Sequence, residues 1–117
     1  VDVVPIVEIS QRAGIPIEAC LFIGSSPIRQ YAEGWTIEQL IETTRKAVSF
    51  AVKQGLEVMY VTEDTTRATP QDIEKLYLTA IDCGAKRICL CDTVGFATPY
   101  FLYKESSEIE RSKRCQD

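Results

Sequence analysis

Histidine is absent from the 117 residues. The commonest side-chain metal ligand and the commonest general base are therefore both missing. Cys-x-x-Cys is absent too, although there are five cysteines: Cys20, Cys83, Cys89, Cys91 and Cys115. Their odd number and irregular spacing support neither a zinc ribbon nor a thioredoxin-like site. They read as reduced, mostly buried thiols of a cytoplasmic protein. No apolar run approaches the ~20 residues of a membrane span, and no basic-then-apolar leader resembles a signal peptide. Positive charge is scarce: 13 Lys and Arg against 17 Asp and Glu give a net charge of -4, which argues against nucleic acid as a partner. An initiator methionine is lacking as well. Met59 is the sole methionine, and a start on Val1 is what a fragment or a processed product would show.

What is present describes one globular domain, with 45% hydrophobic residues. A first helix is expected from near Asp2, with Pro5 tolerated in its first turn and Gly14 at its end. Ile6, Ile9 and Ala13 would form its apolar stripe. Cys20-Leu21-Phe22-Ile23 reads as a buried strand, followed by Gly24-Ser25-Ser26-Pro27 and a loop, "IRQYAEGW". Thr36 and Gln39 form a capping-box pattern that opens the clearest helix. Its stripe is Ile37, Leu40, Ile41, Val48, Ala51 and Val52, and Gly55 ends it. Glu57 to Thr62 is the second strand. Thr69-Pro70 places a cap before a proline at the first helical position. Ile73, Leu76, Tyr77, Ala80 and Ile81 line that helix up to Gly84. Arg87 to Cys91 is the third strand.

Alternating helices and apolar strands imply an α/β fold with a parallel sheet. The last two units share a local design. "TEDTTRATP" and "CDTVGFATP" each run from a strand end through Asp-Thr and a short loop to Thr-Pro and a helix start. The Asp-Thr pairs stand 28 residues apart, a fair length for one βα unit. That repeat fits a TIM (β/α)8 barrel, whose function sits on the loops after its strands. Three βα units with parallel strands are a partial barrel, since a full one takes about 250 residues. The alternative is an open sheet with two bare edges, which invite pairing with another chain and hence a homo-oligomer. Residues 1–99 form the barrel-like part. Residues 100–117 read as a divergent tail, because Tyr100 to Tyr103 is a continuous aromatic and apolar run followed by dense charge. Ser107 and Glu110 would cap a short helix there.

Side chains alternate across a strand, so Glu63 shares a face with Val61 and Met59, and Thr93 with Cys91 and Cys89. On adjacent parallel strands Glu63 and Thr93 emerge together. A carboxylate beside a hydroxyl can bind the polar atoms of a keto acid and move a proton. The plainer readings are a solvated strand-end acid for Glu63 and a turn hydroxyl for Thr93. Arg67 can fork onto a substrate carboxylate or close a loop salt bridge. Asp64 and Asp92 read as structural loop acids that bond loop amides or pair with Arg67. Cys20, Cys89 and Cys91 on one side could form a soft-metal site, but core packing is the favoured reading. "GSSPIR" could cradle an anion, though such a string is more often a plain turn.

The block from "VTEDTTRATP" to "CDTVGFATP" resembles the isopropylmalate and homocitrate synthase family of the DRE-TIM metallolyase superfamily. Glu63, Asp64 and Arg67 match the family's fifth-strand Glu-Asp-x-x-Arg. Asp92, Thr93, Val94 and Gly95 match its sixth-strand Asp-Thr-Val-Gly. "FIGSS" with the helix after it resembles the fourth unit. Two spaced motifs on consecutive units make the likeness specific. It implies the centre of a barrel, from the third helix to the sixth strand. It also implies an acyltransferase that condenses acetyl-CoA with a 2-keto acid, as in leucine biosynthesis.

By that resemblance Glu63 contacts the acid or takes part in proton transfer, and Thr93 hydrogen-bonds the keto acid. A divalent metal (Mg, Mn or Zn) polarises the carbonyl. The family draws its metal ligands from a first-strand Asp and a seventh-strand His-x-His, and its catalytic Arg from the first strand. None of these strands matches any part of this sequence, so no metal ligand is expected here and the chain alone is expected to be inactive. Val61 stands where the family has Ser, and Cys20 where it has His. A non-catalytic self-associating module, or a lyase or aldolase of the same superfamily, is the competing expectation.

Overall fold

The computed structural model describes residues 2–114, and the side chains only to residue 112. The elements run α1 (Val4–Ala13), β1 (Glu18–Gly24), α2 (Pro27–Glu33), α3 (Ile37–Lys53), β2 (Glu57–Glu63), a 3-10 turn (Thr65–Arg67), α4 (Pro70–Asp82), β3 (Arg87–Leu90) and α5 (Pro99–Arg114). The strands form one parallel sheet in chain order, β1-β2-β3. Phe22 lies opposite Val61, and Gly24 opposite Glu63. Val61 in turn lies opposite Cys89.

The alternation of each strand separates two faces. Ala19, Val58, Tyr60 and Thr62 are buried on one face, with Leu21, Ile23, Ile88 and Leu90 packed around that core. The apolar stripes of α3 and α4 cover this side through Leu40, Val48, Ala51, Ile73, Leu76, Tyr77 and Ala80. α3 packs on β1 and β2, α4 on α3 and β2, and α5 on α4. The other face carries Cys20, Phe22, Met59, Val61, Glu63 and Cys89, and there Phe22 is 71% exposed.

After α1, which Val3 precedes without a side-chain cap, a hydroxyl before the first turn of each helix takes an orphan backbone N–H. Thr36 and Gln39 close the expected capping box at 3.3 and 2.9 Å. Thr69 accepts from the Asp72 N–H and Thr98 from the Phe101 N–H, each ahead of a proline. Gly55, at φ 81°, lets the chain leave α3 through the left-handed region.

Four expectations change. The first helix begins at Val4 rather than near Asp2, and it buries Val7 while Ile9 is 58% exposed. "IRQYAEGW" contains α2 instead of a loop. Ser26 caps it by accepting from the Arg29 N–H, and Pro27 sits in its first turn. It has no buried residue, so it left no apolar stripe to read. The short helix expected from Ser107 is the end of one continuous helix starting at Pro99. Ile109 (3% exposed) and Phe101 tie that helix to the core. Its heavy charge masks one narrow apolar edge. Lastly, Cys20 is exposed and the thiols of Cys83, Cys89 and Cys91 are only half-buried, all four being free. Cys115 lies outside the described residues.

Candidate functional site

β2 ends on Glu63, and the next residue, Asp64, turns the chain at φ 57°. Asp tolerates this left-handed conformation better than most residues. The turn aims the Asp64 carboxylate back at Arg67. Arg67 Nε donates to both carboxylate oxygens at 2.8 and 2.9 Å, and Nη2 donates to Oδ2 at 2.6 Å. Asp64 is buried while the Arg67 side chain is 37% exposed. The Arg67 guanidinium, helped by the Ser26 hydroxyl, holds the Asp64 carboxyl below the usual carboxylate range despite burial.

The loop after β3 is tied to this turn at four points. The Asp64 N–H donates to Thr93 Oγ1 at 2.8 Å. The Thr65 N–H donates to the Cys91 carbonyl at 3.1 Å, and the Cys91 N–H returns to Thr65 Oγ1 at 3.0 Å. The Thr66 hydroxyl donates to Asp92 Oδ1 at 3.0 Å. That oxygen also accepts from the N–H groups of Phe96 and Ala97 at 2.8 and 3.1 Å. Desolvation raises the Asp92 carboxyl, but these donors outweigh it and leave the group below its usual range.

Glu63 and Thr93 line two adjoining clefts at this end of the sheet. One, of about 300 Å³, opens on the uncovered face between Cys20, Phe22, Val61 and Cys91. The other, of about 310 Å³, runs under α2 past Ser26, Arg29, Asp64 and Arg67. Thr93 Oγ1 accepts from Asp64, so its own hydrogen is left to donate outward. Glu63 lies 4.0 Å from Arg29 Nε and its side chain is 44% exposed, which leaves it reachable. Burial and then the neighbouring Cys89 thiol push the Cys91 thiol up, so it is held as a neutral group on the cleft wall.

A divalent metal does not fit these residues. No group of three or more His, Cys, Asp or Glu side chains able to hold an ion occurs among the described residues, and Asp64 and Asp92 are committed to Arg67 and the loop amides. The site residues expected from the sequence, Glu63, Asp64, Arg67, Asp92 and Thr93, are brought to one end of the sheet. Ser26 and Arg29 join them; their segment, "GSSPIR", reads in the sequence as an anion cradle or, more often, a plain turn, and not as the start of a helix. The signal was Ser26-Pro27 followed by Gly34, a cap, a first-turn proline and a helix stop, which places Arg29 just beyond the end of β1.

A sheet wound in chain order, with its polar cluster at the carboxyl ends of the strands, defines consecutive βα units of a (β/α)8 barrel. The chain belongs to the HMGL-like family, whose profile matches residues 7–114. It is 40% identical over 80 residues to the (R)-citramalate synthase of Methanocaldococcus jannaschii, covering 68% of this chain and 16% of that protein. It is 38% identical over 90 residues to the 2-isopropylmalate synthase of Sulfolobus acidocaldarius (76% and 23%). The mitochondrial homocitrate synthase of Schizosaccharomyces pombe is 33% identical over 82 residues (69% and 20%). The chain thus spans about a quarter or less of these relatives' length. The HMG-CoA lyase structure from Brucella melitensis shares the fold, with a TM-score of 0.69 at 21% identity over 88% of this chain and 38% of that one. Among the described residues no helix is long and apolar enough to cross a membrane.

Proposed function

We propose that this chain carries the central part of a 2-isopropylmalate-synthase-type site, in which acetyl-CoA condenses with a 2-keto acid. The reading is supported by one observation above all: Glu63 and Thr93 share the wall of both clefts at the carboxyl end of the sheet. The Thr93 hydroxyl donates to the keto acid, and Glu63 holds or moves a proton beside it. Asp64, Arg67 and Asp92 hold the two loops in register. The relatives named above differ in product, so 2-ketoisovalerate, and with it leucine biosynthesis, is the finer part of the proposal. The divalent metal (Mg, Mn or Zn) of such a reaction has no ligand set among the described residues, and no step derived from this chain's residues passes through it.

Titrating 2-ketoisovalerate into the isotopically labelled chain tests the binding half. The amides of Glu63, Asp64 and Thr93 should shift saturably in NMR spectra while those of α1 stay put. Unmoved amides at those three positions would sink the reading. The purified chain mixed with acetyl-CoA, 2-ketoisovalerate and Mg or Mn should release no CoA. Metal-dependent release would show that the chain needs no further ligands.

A second reading is favoured by the two open edges of the sheet. Beside the β3 edge an apolar cleft of about 360 Å³ lies between Ile81, Ile88, Leu90 and Ile109. On this reading the chain is a non-catalytic module that self-associates through its edges and its uncovered face. Sedimentation separates the two: a compact monomer in dilute solution removes self-association.

A further inference from the structure

Arg67, the arginine that the sequence motif supplies, spends Nε and one face of Nη2 on Asp64. A different arginine faces the cleft with looser partners. Arg29 stands on α2, with Nη1 3.4 Å from Glu33 Oε1 and Nε 4.0 Å from Glu63 Oε2. Both acids are 40% or more exposed, so water competes for each pair. We propose that Arg29 is the anion-receiving residue of the cleft and takes the carboxylate of the substrate.

Three observations position it. Gly24, the last residue of β1, leaves the space that the Arg29 stem fills: a Cβ at Gly24 would lie 2.4 Å from Arg29 Cγ. The Trp35 ring lies under the guanidinium, 6.0 Å from centroid to Cζ, a contact that holds a cation without using its N–H donors. Ser26 caps the helix at the Arg29 N–H, which fixes the backbone from which the side chain reaches. The cleft it enters also holds Glu63 and Thr93. A carboxylate seated on the planar fork of Arg29 therefore lies beside the acid and the hydroxyl already assigned to the reacting end. It also competes with Glu63 for the same cation and draws Glu63 off its resting pair. The identity of the anion as a 2-keto acid rests on the proposed function; the anion-binding role of Arg29 does not.

The whole chain is titrated with pyruvate, acetate and the neutral ester methyl pyruvate at constant ionic strength. Emission from Trp35, the sole tryptophan, is one readout and the Thr93 amide shift is the other. Pyruvate should change both saturably. Methyl pyruvate should bind at least about tenfold more weakly, the loss that follows from removing a charge-assisted pair. Arg29→Gln should weaken pyruvate to a similar degree, and Arg29→Lys, which keeps the charge and loses the fork, should fall between. Gly24→Ala keeps the arginine and displaces its stem, so it should also weaken pyruvate. Circular dichroism of each variant reports whether α2 and the sheet persist. Equal binding of acid and ester, no response to pyruvate at all, or an unchanged affinity in folded Arg29→Gln overturns the assignment. The two proposals separate cleanly. If acetate binds as well as pyruvate and Arg29→Gln abolishes both, Arg29 is the anion site and the keto-acid reading fails. If pyruvate shifts Thr93 equally in the wild type and Arg29→Gln, the keto-acid reading survives and Arg29 does not.

Discussion

Thr93 Oγ1 accepts the backbone N–H of Asp64 at 2.8 Å. This one contact joins the loops after two neighbouring strands at the residue that carries the left-handed turn. It also occupies one acceptor position of Thr93 Oγ1 and leaves the hydroxyl hydrogen available to donate elsewhere. Removing the acceptor leaves the Asp64 N–H to find water, at a cost of about 1 kcal/mol. Thr93→Val should lower unfolding stability by that amount in a urea titration and speed hydrogen exchange at the Asp64 amide. Thr93→Ser should restore both. Unchanged exchange at Asp64 in Thr93→Val would mean that the loops are held by their other ties alone.

The Asp64–Arg67 pair gives a pH dependence of known sign. The Asp64 carboxyl is held below its ordinary range in the folded chain. Below about pH 4, near the unfolded carboxylate value, the unfolded chain binds the proton more readily. Stability is therefore fully present above that value and is lost as pH falls through the folded value. Asp92 shifts in the same direction. Asp64→Asn should flatten the acid limb of a stability-against-pH curve while Asp92 keeps part of it. An acid limb identical to the wild type would remove Asp64 from the account.

The sequence disclosed most where periodicity and capping act together. Thr36 and Gln39, Thr69 and Pro70, and the stripe from Ile73 to Ala80 all stand where local chemistry placed them. Strand alternation placed Glu63 at the end of β2, but not Thr93: β3 ends at Leu90 rather than Cys91, and Thr93 reaches the site from the turn beyond it, through its bond to the Asp64 N–H. The side chain of Arg29 was harder to place: the cap, proline and Gly34 around its helix were there to read, but the helix buries nothing and the path of the side chain depends on Gly24, a contact between two elements. The tie from Asp64 to Thr93 is likewise tertiary. α5 was misread because its apolar positions are few and its charges many, so the packing of Ile109 outweighs a weak pattern.

Under the site lies a row of buried hydroxyls that fixes β2, β3 and α4 together. Tyr77 donates to the Cys89 carbonyl at 2.6 Å, and its oxygen lies 2.8 Å from Thr62 Oγ1. Thr62 Oγ1 meets Thr65 Oγ1 at 2.6 Å. The Tyr77 ring stands edge-on to Tyr60, centroids 5.7 Å apart, and is fully buried. Tyr77→Phe keeps the ring contact and strands the carbonyl. It should cost about 1–3 kcal/mol in urea unfolding. A loss well under this range would mean that water reaches Cys89.

The uncovered sheet face makes its own prediction. Phe22 is 71% exposed next to Cys20 and above Val61. If this face mediates self-association, Phe22→Asp should shift sedimentation toward the monomer and leave the circular dichroism unchanged. It should act more strongly than Tyr31→Asp, which alters an even more exposed aromatic on α2 (91%). Equal effects of the two substitutions would point to general solubility rather than a face.

α5 supplies the last prediction, because its two buried residues act in opposite senses. Ile109 is 3% exposed and packs with the core cluster. Ile109→Ala should cost about 2–5 kcal/mol, the range for a buried aliphatic truncated in a core. Glu105 is equally buried. Burial and then Glu108 raise its carboxyl above the usual range. A raised acid favours the folded chain fully below the unfolded value, about 4.3, and that contribution is lost as pH rises through the folded value. Glu105→Gln should therefore stabilise the chain at pH 7 relative to pH 4, as read from melting temperatures at both. If Ile109→Ala costs nothing and Glu105→Gln leaves the pH trend intact, residues beyond Pro99 do not belong to the cooperative fold.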